Sequence, residues 1–355
     1  MFLIASNANL FAQERNIEDI TVENAAVYYL KAFELMHYPN SLGVIKKMRG
    51  VIKNGWQEDK ELEEILNQNE MCFKEFKKGI LLKKCDFNFG KKEELPPELE
   101  AVYGFKIIHL SELLLLKGRY LEKKENFDEA VDLYLSLLTF AFHISQDNSL
   151  LSQLIALRRK KDVYAILKDY LDSQKATKRN ALKILNYLED YDKQCVSIEQ
   201  VLEKEKKKFI SSLQMIVDNI NAGKGLNTEE RKKALEFGDE VLKQGHLLAD
   251  YYYGRLIKLF EKATKTNDEA DWNAVNREIQ DWEREARKMG RISWEIEDDI
   301  VRKKEEDFYK KRARQIVKFT FFMTFSPYIE KVINEYRLTQ KELKELKSLA
   351  DIKAR

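Results

Sequence analysis

The residues best suited to chemistry in this 355-residue chain are a carboxylate and an imidazole spaced for one face of a helix. Glu34 and His37 stand three residues apart, and His109 and Glu112 repeat the spacing in reverse order. Helical bundles that bind two iron ions use two Glu-x-x-His helices and two further carboxylates. The sequence has one such helix, so we predict no metal site. His37 is better explained as a residue near a helix C-terminus, where the helix dipole favours it.

The common signatures of nucleotide-binding, metalloprotease and hydrolase sites are absent from the sequence. They are Gly-x-x-x-x-Gly-Lys-Ser/Thr, Gly-x-Gly-x-x-Gly, His-Glu-x-x-His and Gly-x-Ser-x-Gly. The three cysteines, Cys72, Cys85 and Cys195, are an odd number without the spacing of a zinc site, which indicates buried free thiols. We therefore predict no catalytic residue and no cofactor.

Three consecutive aromatic residues, Tyr251, Tyr252 and Tyr253, precede Arg255 and form our candidate partner-binding surface. Three successive residues on a helix span about 200°, whereas a surface helix buries a stripe of roughly 100°. At least one ring should therefore lie at the edge of the core. An amphipathic tyrosine beside a positive charge is well suited to a protein interface. The alternative is that all three rings fill gaps between packed helices.

Composition favours long helices and a protein partner. Only 4 Pro and 13 Gly interrupt the chain, so turns are scarce. The 62 basic and 60 acidic side chains leave a net charge of +2, which gives no electrostatic reason to expect a nucleic acid or an anionic membrane surface. No stretch reaches the 18 or so apolar residues of a transmembrane helix. The oligomeric state is not predicted.

Two apolar-periodic segments between Ala101 and Ser145 predict a central helical hairpin. Its second arm carries apolar residues at helical spacing, namely Phe127, Ala130, Val131, Tyr134, Leu138 and Ala141. Its first arm offers a matching stripe of Val102, Phe105, Ile108, Leu113, Leu116 and Tyr120. The short connection makes the two helices neighbours. We expect them to cross closely where Gly118 and Ala130 are small.

This hairpin resembles one tetratricopeptide unit. The positions that the motif gives to large, glycine, aromatic and small residues are occupied by Leu114, Gly118, Leu121, Ala130, Tyr134 and Leu137. Leu137 is larger than the motif prefers. An array needs about three stacked repeats, and the sequence has one. The central hairpin is therefore tetratricopeptide-like within a solenoid-like stack.

Short motifs between about residues 20 and 210 also resemble a group of mostly exported, all-helical proteins of environmental bacteria. The motifs are Asn24–Tyr29, Lys84–Phe87, the hairpin from Gly118 to Ala130 with Leu137, Leu138 and His143, and Ser149–Leu154. The sequence departs from the group at Phe142, where the group has an arginine. The resemblance implies an all-helical fold and export. It brings no activity and no site residues, because the group has no established activity.

The clearest linker is Gly223-Lys224-Gly225, which predicts a helical-hairpin domain over residues 14–222. Residues 226–355 are then a second helical domain or a continuation of the stack. Within them, Asn227 and Glu230 have the spacing of a capping box for a helix that Gly245 should end. A further helix should open at Thr339, three residues before Glu342.

Residues 1–13 carry part of the pattern of a secretion signal. Two short apolar runs flank the polar stretch from Ser6 to Asn9, and the first basic residue is Arg15. A signal needs a basic start and about 7 to 15 apolar residues. A start codon placed too late explains both defects and predicts a protein of the cell envelope or periplasm. A frayed apolar tail on a cytoplasmic protein is the alternative.

The sequence therefore predicts an all-α, solenoid-like stack of helical hairpins. We interpret the chain as a non-enzymatic scaffold or protein-interaction module whose partner is another protein, in a bacterial envelope if the chain is exported. The alternative is an enzyme or a metal-binding helical bundle of unidentified activity.

Overall fold

The computed structural model describes six stretches of the chain, residues 23–87, 97–146, 149–222, 228–289, 306–321 and 326–355. Thirteen helices cover 86% of the described residues, and no strand is found among them. This confirms the predicted all-α fold of stacked helices. The predicted signal remnant, the Gly223–Gly225 linker and the Asn227 cap lie outside the described residues.

The chain divides into two compact units, Met1–Asp147 and Asn148–Arg355. This division lies between Asp147 and Asn148. The sequence predicted a linker at residues 223–225, followed by a second helical domain or a continuation of the stack. The helices before and after that linker share one hydrophobic core. Phe209 and Leu213 before the linker belong to the same buried cluster as Phe237 after it.

Six helices form the described part of unit 1. They are α1 (Ala25–Leu35), α2 (Leu42–Asn54), α3 (Lys60–Gln68), α4 (Glu70–Ile80), α5 (Pro97–Lys123) and α6 (Phe127–Ser145). Helix α1 packs against α4, and α5 packs against α6. Buried rings from three helices meet in the core, where the Phe140 ring centroid lies 4.6 Å from that of Tyr29 and 5.5 Å from that of Phe76.

The start of α1 is fixed by Asn24. Its side-chain oxygen accepts hydrogen bonds from the Ala26 and Asp86 amides, at 3.1 and 2.9 Å, and its side-chain nitrogen donates to the Asp86 carbonyl at 2.8 Å. The Ala25 amide donates to the Lys84 carbonyl at 2.8 Å. These bonds make Asn24 the N-cap, so the helix begins at Ala25.

The central hairpin forms as α5 and α6, and its close crossing lies at Gly118. A Cβ atom at this position would lie 2.3 Å from the Tyr134 ring, so the contact requires a glycine. Ala130 is also buried. The first arm differs from the predicted stripe, because Val102 and Phe105 are exposed while Ile107 and Leu110 are buried.

Seven helices form the described part of unit 2. They are α7 (Leu150–Asp172), α8 (Lys178–Gln194), α9 (Ile198–Asn221), α10 (Thr228–Thr266), α11 (Glu269–Met289), α12 (Glu306–Thr320) and α13 (Ser326–Ala354). Helix α10 packs against α9, α11 and α12, and α13 packs against α7, α8 and α11. Helix α10 therefore presents side chains to three neighbours.

Helix α10 does not end at Gly245, as the sequence predicted, but continues to Thr266. A Cβ atom at Gly245 would lie 2.4 Å from Leu213 Cδ1 of α9. The glycine thus permits close packing of two helices and does not act as a stop. The actual end is at Asn267, which adopts a positive φ of 52°, a conformation that asparagine tolerates well.

The predicted helix start at Thr339 is also wrong, because Thr339 lies within the continuous helix α13. Its hydroxyl donates to the Glu335 carbonyl at 2.7 Å, one turn earlier, and its side chain is buried. A threonine hydroxyl can form this hydrogen bond to the preceding turn inside a helix as well as at a cap.

No helix in the described stretches is both long enough and apolar enough to cross a bilayer.

Candidate functional site

A groove in unit 2 lies where α10, α11 and α12 approach one another. Its volume is about 690 Å³, within the usual range for ligand sites. It is lined by side chains of three helices, namely Gln244, Leu247, Leu248, Tyr251, Tyr252, Arg255, Glu278, Asp281, Trp282, Glu285, Arg314 and Lys318. We call it the α10–α12 groove.

The three tyrosines of the predicted surface have three different environments. Tyr251 is 54% exposed and Tyr252 is 7% exposed, and both line the groove. Tyr253 is fully buried and lies 5.4 Å from Phe321 between ring centroids, so it is a core residue that a docking partner cannot reach. The 200° arc of three helical residues thus extends from solvent into the core.

Buried aromatic rings pack against one another at the base of the groove. The ring of Tyr252 lies 5.5 Å from that of Trp282 and 4.9 Å from that of Phe321 between centroids. Trp282 and Phe321 are themselves in edge contact at 5.1 Å. Burial, together with the nearby charge of Glu285, raises the pKa of Tyr252 to about 12. The Tyr252 hydroxyl therefore remains protonated at neutral pH.

A buried carboxylate, Glu278, holds one wall of the groove in place. It accepts a hydrogen bond from Trp282 Nε1 at 3.0 Å, one helical turn away. Its other oxygen pairs with Arg255 Nε at 2.8 Å, and Arg255 in turn donates to the Tyr251 hydroxyl at 3.1 Å. This chain of bonds connects the buried indole to the exposed tyrosine. Arg255, predicted as part of the surface, orients Tyr251.

The remaining charges of the groove are only partly paired. Asp281 pairs with Arg284, and Lys318 Nζ lies 3.6 Å from Glu285. Arg314 is exposed and makes no hydrogen bond or ion pair with any residue that the structure describes. Within the part of the chain that the structure describes, the groove therefore combines an apolar floor with a cation, Arg314, that has no partner.

Of the residues that line the groove, the sequence analysis named Tyr251, Tyr252 and Arg255 but not Trp282 and Arg314. Trp282 had a signal, because Glu278 precedes it at the i, i+4 spacing of neighbouring side chains on a helix. No local sequence signal indicated Arg314, because it lies about 60 residues from Tyr251 along the chain. Only the packing of α12 against α10 brings it to the groove.

The structure does not assemble the two halves of the Glu-x-x-His pattern as a metal site. Glu34 and His37 are exposed. The His37 backbone is held by Asn69, whose side-chain oxygen accepts from the His37 amide at 2.9 Å and whose side-chain nitrogen donates to the His37 carbonyl at 2.9 Å. Among the described residues, no group of three or more His, Cys, Asp or Glu side chains is arranged to hold a metal ion.

His109 and Glu112 belong instead to a polar cluster in unit 1. The His109 ring stacks on Tyr38 with centroids 3.8 Å apart, and the Tyr38 hydroxyl donates to Glu112. Arg49 Nε lies 2.9 Å from the same carboxylate. Burial lowers the pKa of His109 below its usual value, so this imidazole is neutral at pH 7. The cluster fixes Glu112 by two donors and connects α2 to α5.

Comparison with known proteins gives no match among protein-family models, curated proteins or solved structures. The resemblance to exported helical proteins of bacteria stays a prediction. The side chains of the α10–α12 groove are therefore the basis for a proposal about function.

Proposed function

We propose that the chain is a non-enzymatic protein-interaction module that binds a peptide segment of another protein in the α10–α12 groove. One observation carries the proposal: an exposed tyrosine, Tyr251, and a cation that has no partner among the described residues, Arg314, lie beside buried aromatic rings. Aromatic and arginine side chains are enriched at the centres of protein interfaces. They also supply most of the residues that dominate binding free energy.

The floor of the groove favours binding because it is already ordered. Trp282 is fixed by its hydrogen bond to Glu278 and by edge contact with Tyr252. A partner side chain placed over these rings would bury apolar surface without immobilising them. Lower ordering entropy increases the affinity that a given buried area can provide.

The charge pattern favours a partner with an anionic group. The Glu278 carboxylate is paired with Arg255, and Lys318 lies close to Glu285. Arg314 is left to bind an anionic group through charge-assisted hydrogen bonds. We therefore expect a partner segment with an apolar or aromatic side chain next to an aspartate or glutamate.

The same lining residues favour binding over catalysis. Among the described residues of the groove there is no serine, cysteine or histidine, the side chains that most often act as nucleophiles or general bases. The buried carboxylate that could act as an acid or base, Glu278, already pairs with two donors.

Selection from a random peptide library displayed on phage tests this proposal on the full chain. We expect enriched peptides that share an apolar residue adjacent to an acidic one, with micromolar affinity in calorimetry. Tyr251→Ala and Arg314→Glu should each weaken binding about tenfold or more, which corresponds to 1.4 kcal/mol.

Matched controls lie elsewhere in the same unit. Tyr328 is 47% exposed and Lys232 has a 78% exposed side chain, and neither lines the groove. Tyr328→Ala and Lys232→Glu should leave the affinity unchanged. Equal losses in the control variants, or the absence of any enriched motif, would contradict a peptide-binding groove.

A further inference from the structure

A second site in unit 2 combines a buried ammonium with a cysteine. Lys160 of α7 is 7% exposed, and its Nζ lies 3.2 Å from Cys195 Sγ. The same nitrogen lies 5.0 Å above the Tyr191 ring centroid. Cys195 is partly exposed and follows the last residue of α8, in the short connection to α9.

The Lys160 ammonium lacks a carboxylate partner among the residues that the structure describes. A charge removed from water is strongly destabilising unless an opposite charge compensates it. The Cys195 sulfur is the polar atom that lies beside the Lys160 ammonium, at 3.2 Å. A thiolate beside an ammonium is favoured over the neutral thiol, and the thiolate is the reactive form of cysteine.

Tyr191 supplies an independent observation. It precedes Cys195 by four residues, the spacing that places two side chains together on a helix face. Tyr191 is 6% exposed, and its hydroxyl oxygen has no hydrogen-bond partner among the residues that the structure describes. Burial, followed by the charge of Cys195, raises the pKa of the Tyr191 phenol well above its usual value. The site thus holds a buried, protonated hydroxyl beside the Cys195 sulfur.

We propose that Cys195 is a redox-modification site at which a hydroperoxide oxidises the thiolate to a sulfenic acid. The thiolate sulfur attacks one peroxide oxygen, an S–O bond forms and the O–O bond breaks. Sulfur loses two electrons and the peroxide gains them. The departing hydroxide takes a proton from Lys160, which regains it from solvent. The new oxygen accepts a hydrogen bond from the Tyr191 hydroxyl.

The other two cysteines serve as internal controls. Cys72 is completely buried and Cys85 is 6% exposed. Burial raises the pKa of the Cys72 thiol to about 12, which keeps it in the unreactive neutral form. Cys195 is also more exposed than Cys72 and Cys85, so exposure alone would increase its oxidation. A lysine variant is needed to separate the effect of exposure from that of activation by Lys160.

The experiment treats the full chain with dilute hydrogen peroxide and traps sulfenic acid with dimedone, and mass spectrometry quantifies each cysteine peptide. We expect Cys195 to be labelled about tenfold or more above Cys72 and Cys85. Lys160→Met should reduce labelling of Cys195 about tenfold, whereas Lys160→Arg, which keeps the positive charge, should retain most of it. Equal labelling in Lys160→Met and the parent chain would overturn the proposal.

A second measurement separates activation from structural damage. The rate of alkylation of Cys195 by iodoacetamide is followed against pH. The midpoint of this profile should move to higher pH in Lys160→Met and stay near the parent value in Lys160→Arg. An unmoved midpoint in Lys160→Met would exclude activation by the ammonium, even if labelling fell because the fold loosened.

The role of Tyr191 is tested by the lifetime of the product. Tyr191→Phe removes the hydroxyl and keeps the ring, so we expect the sulfenic acid to decay faster. Tyr187→Phe, one turn earlier on α8, is the matched control and should not change the decay. Identical decay in the parent chain and in Tyr191→Phe would show that the Tyr191 hydroxyl does not stabilise the sulfenic acid.

Discussion

The hydroxyl of Tyr29 lies 2.6 Å from Nδ1 of His143, and the pair is buried between α1 and α6 of unit 1. The imidazole also makes a hydrogen bond to the Leu82 backbone, and burial lowers the pKa of His143 to about 4. A neutral ring that accepts from Tyr29 at Nδ1 and donates from its other nitrogen satisfies both contacts. The pair joins residues 114 positions apart in the chain.

The first prediction concerns pH. Between about pH 6.5 and 4, the unfolded state binds a proton at His143 and the folded state does not, so the free energy of unfolding falls as pH falls. The full effect is about 3 kcal/mol below pH 4, from a shift between pKa values near 6.5 and 4. Urea unfolding of the parent chain and His143→Gln over this range measures it.

The difference between the two chains isolates His143 from the carboxylates that titrate in the same range. His37→Gln is the control, because His37 is exposed. A parent chain whose stability follows that of His143→Gln in parallel from pH 7 to 4 would show that the imidazole is accessible to protons in the folded state.

The second prediction concerns the close helix crossing in the central hairpin. Gly118→Ala places a Cβ atom 2.3 Å from the Tyr134 ring, whose hydroxyl is fixed by a 2.9 Å hydrogen bond to Glu122. Overpacking of this kind typically destabilises by about 1 to 3 kcal/mol. Gly50→Ala is the control, because nothing lies within 4 Å of its Cβ position in α2.

Thermal unfolding should therefore give opposite results for two glycines that both lie inside helices. We expect Gly118→Ala to lower the midpoint and Gly50→Ala to leave it unchanged or raise it, since alanine is favoured over glycine in a helix by about 1 kcal/mol. An unchanged midpoint for Gly118→Ala would indicate that α5 and α6 lie further apart at Gly118 than they do in the structure.

The third prediction uses the orphaned hydroxyl of Tyr253. This oxygen is buried and has no hydrogen-bond partner in the described stretches of the chain, and burial raises the pKa of the phenol well above its usual value. A buried polar group without a partner destabilises by about 1 to 3 kcal/mol. Tyr253→Phe should therefore be neutral or stabilising by about 1 kcal/mol. A loss of more than about 1 kcal/mol in urea unfolding would indicate that the hydroxyl has a partner.

The fourth prediction separates the tyrosines by burial. Tyr253→Ala removes a fully buried ring and should destabilise unit 2 by about 3 to 5 kcal/mol. Tyr251→Ala, at a 54% exposed position, should change the free energy of unfolding by about 0.5 kcal/mol or less. Large and equal losses at both positions would make Tyr251 a packing residue and remove it from the groove surface.

Contacts between residues close together in the chain are the part of the fold that a sequence specifies most directly. Ser149 and Ser197 cap α7 and α9, and Ser197 forms a capping box with Gln200. These contacts join residues three positions apart, so the sequence contains all of their determinants. Gly245 was assigned wrongly because its role depends on Leu213 of another helix.

The candidate site divides in the same way. Tyr251 and Arg255 lie one turn apart, and their spacing alone placed them together. The division of Tyr251, Tyr252 and Tyr253 between solvent and core depends on where α11 and α12 pack, which no local pattern specifies. Arg314 enters the groove for the same reason, since its position relative to Tyr251 is a property of tertiary packing.

A charge-swap measurement tests the central claim most directly. Calorimetry compares the affinity of a selected peptide, and of the same peptide with its acidic residue changed to lysine, for the parent chain and for Arg314→Glu. We predict that either single change weakens binding about tenfold or more and that the two changes together restore most of the affinity. Additive losses, with no recovery in the double change, would contradict a direct contact between Arg314 and the partner's carboxylate.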